Sequence, residues 1–339
     1  MRRIATSLVA LALVAGACSS KKDNASSTTT RATHATQPPT TAPADVAPLT
    51  GLPADAATRG RPVLVVKIDN APKARPQFGI GVADIVVEEG VEGGITRFAT
   101  IFQSRDADVV GPVRSARSSD LHIATPLNRP LFAYSGTNSN FQALIDRSTL
   151  VNLSPNKLPS AYHRDGSRPA PYNLFSSTQL FYKAPQATSG GQPHPLLAID
   201  SRATATGDPV KQLSVHWADK VRTDVTWSWD GTKWSRVENG TPQSDGSGAA
   251  VAPRNIVVLF VNYEDTGERD QSNSVVPEAK LTGSGAAWIV RDGTLIRGTW
   301  TKPSDDAPIA LADGKGARVS LLPGQSWIEL PKPGDATVG

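Results

Sequence analysis

Two arginines three residues apart, Arg114 and Arg117, lie in the polar run Gly111-Pro-Val-Arg-Ser-Ala-Arg-Ser-Ser-Asp120, directly after a stretch that reads as a buried strand. Proline is harmless at the first helical position, where no intrahelical N–H bond is missed, so Gly111-Pro112 predicts a helix start. On such a helix Arg114 and Arg117 share one face, near unpaired N–H groups and the positive dipole end. Guanidiniums placed together repel one another without an anion. A phosphate, pyrophosphate or carboxylate ligand resolves the repulsion, each charge-assisted bond being worth roughly 1.5–3 kcal/mol. An internal network with Asp120, Glu88, Glu89 or Glu92 as the anion resolves it equally well.

Other segments carry groups of the same kind. Lys67-Ile-Asp-Asn70 puts Asp69 and Asn70 at a strand end, and Ala74-Arg-Pro-Gln77 follows with Arg75. Polar groups at strand ends gather around ligands, although Asx residues also end strands simply by making turns. The stretch from Val87 to Arg97 holds Glu88, Glu89 and Glu92 among three glycines; it suits a hard cation, an acid/base pair or an ordinary solvated turn. The loop Tyr162-His-Arg-Asp165 to Arg168-Pro-Ala-Pro-Tyr-Asn173 adds His163, a candidate acid or base, with Ser115, Arg168 and Asn173 as further ligand-binding candidates. There is no G-x-S-x-G, no H-E-x-x-H, no P-loop and no cysteine-based centre. No catalytic residue is assigned on this basis, and neither a cofactor nor a metal is expected.

The elements that must position these residues are strands over 62–67, 84–88 and 96–102, rich in β-branched and aromatic residues and bounded by Gly, Pro or Asn. Helices are predicted over 138–147, where Phe141, Leu144 and Ile145 recur at 3–4 spacing, and over 173–183. The mixture predicts an α/β domain over 48–190. After the Gly/Pro-rich run at 189–195 come short strand-like runs at 213–217, 225–229, 233–237, 255–261, 286–291, 294–300, 318–322 and 326–330. Asp230-Gly231 and Asp292-Gly293 predict hairpins in which both turn residues take positive φ. The expected fold class is therefore α+β, with a mainly antiparallel β domain over 205–332, a sandwich or partly open barrel. Most of the seven tryptophans read as packing residues in it rather than as a sugar platform.

The N-terminus supplies an address. Arg2 and Arg3, an apolar stretch and the small residues Ala15-Gly16-Ala17 give residues 1–17 a signal-peptide layout, and Cys18 follows where a lipid-modified cysteine belongs. Residues 18–47 are mostly Ser, Thr, Ala and Pro, too polar to offset the entropy of ordering, and read as a disordered tether. Being the one cysteine in the chain, Cys18 allows no internal disulfide. The formal charge of +4 loses Arg2 and Arg3 with the leader, and the remaining +2 is too small to argue for nucleic acid.

Lys67-Ile-Asp-Asn70, Ala74-Arg-Pro-Gln77, Glu92-Gly-Gly-Ile-Thr-Arg-Phe98 and Gly111-Pro-Val-Arg-Ser-Ala-Arg117 together resemble the YerB-like family of bacterial lipoproteins, whose function is unknown. Arg291-Asp-Gly, Gly298-Thr-Trp300 and Pro323-Gly-Gln-Ser-Trp-Ile-Glu329 extend the likeness, so that it covers roughly residues 48–332. The resemblance implies a two-part extracytoplasmic protein behind a lipid anchor and supplies no reaction. Pro171-Tyr-Asn173 departs from the family's common Pro-His-Asn, which argues against a catalytic base there. In kind of arrangement the chain is also similar to LytR-CpsA-Psr proteins, which handle polyprenyl-pyrophosphate-linked glycans.

The expectation is a bacterial cell-envelope lipoprotein, exported and anchored to the outer face of the cell membrane through lipid. Asp69, Asn70, Arg75, Glu92, Arg97, Arg114, Ser115, Arg117, Arg168 and Asn173 would bind an anionic ligand such as a phosphorylated glycan or lipid carrier. Two alternatives stand beside it: an envelope hydrolase or transferase using Asp69, Glu88 or Glu92, and an assembly factor that binds protein partners.

Overall fold

The computed structural model describes residues 45–339 except Asp219 and Gln271; the leader and Cys18 lie outside the described residues. The described fold opens at Val46, which pairs with Pro53, and leads through helix α1 (Ala56–Gly60) into the first strand. Strands form at the three β-branched runs expected: β1 (Leu64–Asp69), β2 (Ile85–Gly90) and β3 (Thr96–Phe102), every residue of them buried. β3 pairs antiparallel with both β1 and β2. Helix α2 (Ser119–Ala124) precedes β4 (Leu131–Ala133), and α3 (Ser139–Arg147) precedes β5 (Val151–Asn152). β4 lies parallel to β1, and β5 parallel to β4. The Asn138 side chain caps α3 by accepting from Phe141 N at 2.7 Å; Phe141 and Ile145 face the core while Leu144 faces out.

The helix expected over 173–183 is corrected. Its first residues belong to a small pair, β6 (His163–Arg164) with β7 (Leu174–Phe175), because the carbonyls of Leu174 and Ser176 are taken by the N–H groups of Val113 and Val110. Only α4 (Thr178–Tyr182) is helical, capped by Ser177.

β8 (Asp208–Pro209) is followed by a meander of β9 (Gln212–Ala218), β10 (Arg222–Trp229), β11 (Trp234–Glu238) and β12 (Thr241–Pro242). Then come β13 (Asn255–Leu259), a separate hairpin of β14 (Tyr263–Arg269) and β15 (Val275–Ala279), and β16 (Gly283–Arg291), β17 (Thr294–Lys302) and β18 (Ala310–Asp313). β19 (Ser326–Leu330) and β20 (Ala336–Val338) end the chain. The strand expected at 318–322 is absent: Arg318 and Leu321 make only single bridges, to Ala312 and Ile199. Of the two Asp-Gly turns, Asp292-Gly293 has both φ values positive as expected. At the other only Gly231 does, because Asp230 instead folds a four-residue loop by accepting from Thr232 N and Lys233 N.

The fold is α+β, and its two halves share one sheet. The order is β18-β17-β16-β13-β19-β2-β3-β1-β4-β5, with β8 beside β17. β19 makes the join, lying parallel to β13 on one side and to β2 on the other. Alternation along the strands gives the sheet two buried faces: Val65, Val87, Ile101 and Ile328 point to one, Val66, Val86, Phe98 and Trp327 to the other. The five-stranded sheet β12-β11-β10-β9-β20 covers the second face, with Trp227 edge-on to Trp327 at 5.2 Å.

Candidate functional site

The same alternation that buries apolar residues along the central strands places charges at their ends, on both faces. On the first face Asp69 of β1 stands opposite Arg97 of β3, and Arg97 opposite Glu89 of β2. Lys67 lies one step back, beside Ala99, whose small side chain leaves room to reach over β3. Its ammonium donates to Glu89 and, at 2.8 Å, to Asp120 at the start of α2, all three side chains being fully buried. Burial raises the Glu89 carboxyl, and the Lys67 charge opposes the rise.

Beyond this triad lies the arginine cluster. Arg114 donates to Asp69 Oδ2 at 2.6 Å. Arg117 grips Glu92 with two nitrogens, Nη2 to Oε2 at 2.8 Å, and Arg97 lies 3.7 Å from the same carboxylate. Burial works to raise the Glu92 carboxyl, but the bond and charge of Arg117 hold it below its ordinary value. Arg97 donates from Nη1 to Ser115 O at 3.0 Å, while its Nε is buried with no hydrogen-bond partner. Burial first, and then the charge of Arg117, push the Arg97 guanidinium down to about 10. Three guanidiniums thus meet two carboxylates here, while the adjoining triad sets one ammonium, Lys67, against two, Glu89 and Asp120.

The helix expected at Gly111-Pro112 is not what positions Arg114 and Arg117. Residues 112–114 continue alongside β1 as extended chain, Asp69 N donating to Pro112 O at 3.0 Å and Arg114 N to Lys67 O at 2.8 Å. Gly111 is held against Phe78 and β7, where a Cβ would come within 2.7 Å of the Phe175 ring. These lateral backbone bonds exclude helical ones. Helix α2 starts only at Ser119, and Asp120 Oδ2 accepts from Arg117 N at 2.7 Å.

On the second face a different set meets. Arg236 of β11 donates to Glu88 at 2.5 Å and to Glu238 at 2.9 Å, and Arg75 pairs with Glu238. Asn70 donates to Thr96 and Glu238, each at 2.7 Å, and accepts from Gln77 at 2.8 Å. The Arg236 guanidinium lies 5.2 Å from the Trp327 ring centre and 5.6 Å from that of Phe98. Burial, and then the charge of Arg236, lower the Arg75 guanidinium.

Of the ten sequence candidates, Asp69, Glu92, Arg97, Arg114, Ser115 and Arg117 come together on the first face. Asn70 and Arg75 belong to the second. Arg168 and Asn173 join neither set: Arg168 donates to Ala74 O and Pro76 O and lies over the Phe78 and Phe175 rings, and Asn173 accepts from Arg164. Each carboxylate weighed as acid or base is held by a guanidinium: Asp69 by Arg114, Glu88 by Arg236, Glu92 by Arg117. No group of three or more His, Cys, Asp or Glu residues able to hold a metal occurs among the described residues. Sequence reasoning missed the roles of Lys67, Arg236 and Glu238, and that of Glu329, whose carboxyl accepts from the Trp227 indole at 2.8 Å beside Glu88. The signal for two of them was in β11, where Trp234, Arg236 and Glu238 alternate on the buried side of the strand. Arg117 also lines a cleft of about 340 Å³ with Asn138, Phe141 and Glu278; Arg97 and Arg114 do not line it.

Comparison with known proteins gives a consistent relationship. Residues 49–191 match the profile described as Protein of unknown function (DUF3048) N-terminal domain, and residues 213–328 match its C-terminal domain. A Bacillus subtilis (strain 168) protein, YerB, provisionally named a lipoprotein, is 29% identical over 314 residues, 88% of this chain and 89% of its own. The crystal structure of the YerB protein from Bacillus subtilis superimposes with a TM-score of 0.75 at 26% identity, covering 87% of this chain and 99% of that one.

Proposed function

The chain belongs to the YerB-like family of DUF3048 proteins, and from that premise we propose that it is an exported, lipid-anchored envelope protein whose arginine cluster binds an anionic ligand. The name of its Bacillus relative and the leader-plus-cysteine layout at Cys18 support the anchor. The single observation that carries the ligand is the convergence of Arg97, Arg114 and Arg117 at one end of the sheet, with the Arg97 Nε buried and left without a partner. A buried N–H without an acceptor is costly, and a bound anion that reaches it offsets that cost. The ligand class that fits is a phosphate or pyrophosphate group carried on an envelope glycan or lipid carrier, because planar guanidiniums bind such oxygens two at a time.

Thermal shift of the full-length protein tests this. Inorganic pyrophosphate raises the melting temperature of the wild type and has no effect on an Arg114→Gln/Arg117→Gln variant. Equal stabilisation of both proteins, or of neither, contradicts the proposal.

A further inference from the structure

A second site lies across the turn that carries Glu92. The β14–β15 hairpin stands off the end of β2 and leaves, between itself and β9, a cleft of about 310 Å³, at the small end of the range for small-molecule sites. Its floor is aromatic. Trp217, 5% exposed, lies with its indole edge against Gly90, where a Cβ would stand 3.0 Å from the indole Cδ1 and 3.6 Å from the Tyr263 ring. A side chain at position 90 would crowd the indole, so glycine there lets the indole edge and the Tyr263 ring both line the cleft. The Tyr263 hydroxyl is fully used, accepting from Gly90 N at 2.9 Å and donating to Leu330 O at 2.7 Å, so this residue presents its ring alone.

The rim is polar, and part of it is unspent. Glu264 pairs with Lys280 and Asp265 with Arg269. The side chains of Lys332 and Asp335 make no hydrogen bond or ion pair among the described residues. With Glu264 and Asp265 already paired, the free rim charges are one ammonium, Lys332, and one carboxylate, Asp335, so unlike the arginine cluster this cleft has no cationic surplus to draw an anion. The two sites are separated only by Glu92–Gly94: Glu92 holds Arg117 on one side, and Gly94 lines the cleft on the other.

We propose that this cleft is a sugar-binding subsite, taking a neutral or amine-bearing pyranose that packs against the Tyr263 ring and the indole edge of Trp217 and whose hydroxyls meet Lys332 and Asp335. A pyranose has the matching make-up, with apolar C–H faces ringed by groups that both donate and accept. The proposal stands on the cleft alone. If the arginine reading also holds, a glycan with a phosphate next to an uncharged or amino sugar spans both sites.

The test is NMR of the full-length protein carrying 15N in its tryptophan indoles, with Trp217→Phe assigning the relevant signal. The probes are N-acetylglucosamine, its β-1,4-linked tetramer and, separately, inorganic pyrophosphate. Sugar shifts the Trp217 indole signal saturably while the signals of Trp227 and Trp327 stay in place, and pyrophosphate leaves the Trp217 signal unmoved. The rim changes Lys332→Ala and Asp335→Ala each weaken sugar binding by about fivefold or more, about 1 kcal/mol. If Trp217→Phe fails to fold, these two variants carry the test by themselves. No shift with either sugar at about 20 mM, enough to reveal millimolar affinity, overturns the proposal. So does a shift that is unchanged in both rim variants, or one produced by pyrophosphate or an apolar peptide and by no sugar. Loss of the sugar effect with the pyrophosphate thermal shift intact sinks this proposal and leaves the arginine reading standing.

Discussion

Glu329 and Glu88 are opposite one another in the parallel pair of β19 and β2, both fully buried, and the carboxylates that Arg236 pairs with are Glu88 and Glu238. Burial first, and then the charge of Glu88, raise the Glu329 carboxyl well above its ordinary value, so it keeps its proton where a free glutamate has lost it. The Trp227 indole donates to its Oε1 at 2.8 Å. A carboxyl whose folded pKa lies above its unfolded value, about 4.3, lowers stability as pH rises from that value to the folded one, because the unfolded chain gives up the proton first. Glu329→Gln keeps the shape and the acceptor for Trp227 and removes the titration. It is expected to melt higher than the wild type at pH 8 and within about a degree of it at pH 4, read by scanning calorimetry; a variant less stable than the wild type at pH 8 contradicts this account. The arginine cluster obeys the same physics with the sign reversed. There a cation, Arg97, is buried beside a second guanidinium with its Nε unpartnered, and we propose a ligand rather than a proton as the remedy.

At the scale of elements, β19 decides whether the halves can exist apart. Its neighbours β13 and β2 come from the two segments matched by different family profiles, and both bond to it along its length. A fragment ending before residue 205 loses β19 and exposes the edge of β2, a strand buried throughout. Such a fragment is expected to aggregate or remain unfolded by circular dichroism and gel filtration; a soluble, folded monomer would count against the shared-sheet reading. The strands themselves were legible because runs of β-branched residues between turn formers leave a local signal, and β3 and β19 have the expected limits. The β14–β15 hairpin left none, since Tyr263-Glu-Asp-Thr-Gly-Glu-Arg269 is polar on both sides of the strand. Gly111-Pro112 misled for a physical reason: its helix signal was local, and the lateral bonds to Phe78, β1 and β7 that overrode it come from far along the chain.

Across the molecule, the candidate site was half legible. Residue types were visible in the sequence, and so was the need of the arginines for an anion. Partners were not, because Glu88 meets Arg236 from 148 residues away and no spacing rule reaches that far. One division could have been read: adjacent residues at a strand end point to opposite faces, which sends Asp69 to the arginines and Asn70 to the Arg236 network. The chain enters the fold where Thr50 O accepts from Gly324 N, near the start of β19, and the arginine cluster lies at the far end of the central strands. Six residues of β2 at about 3.3 Å each separate these ends by roughly 20 Å. The described chain therefore enters the fold at the end opposite the cluster. The most direct measurement is a crystal of the protein soaked in tungstate, a phosphate-like anion whose anomalous scattering marks its own position. The account predicts a peak within hydrogen-bonding distance of Arg97, Arg114 or Arg117 that disappears in the Arg114→Gln/Arg117→Gln variant. A peak elsewhere only, or none at a concentration that saturates the thermal shift, would contradict it.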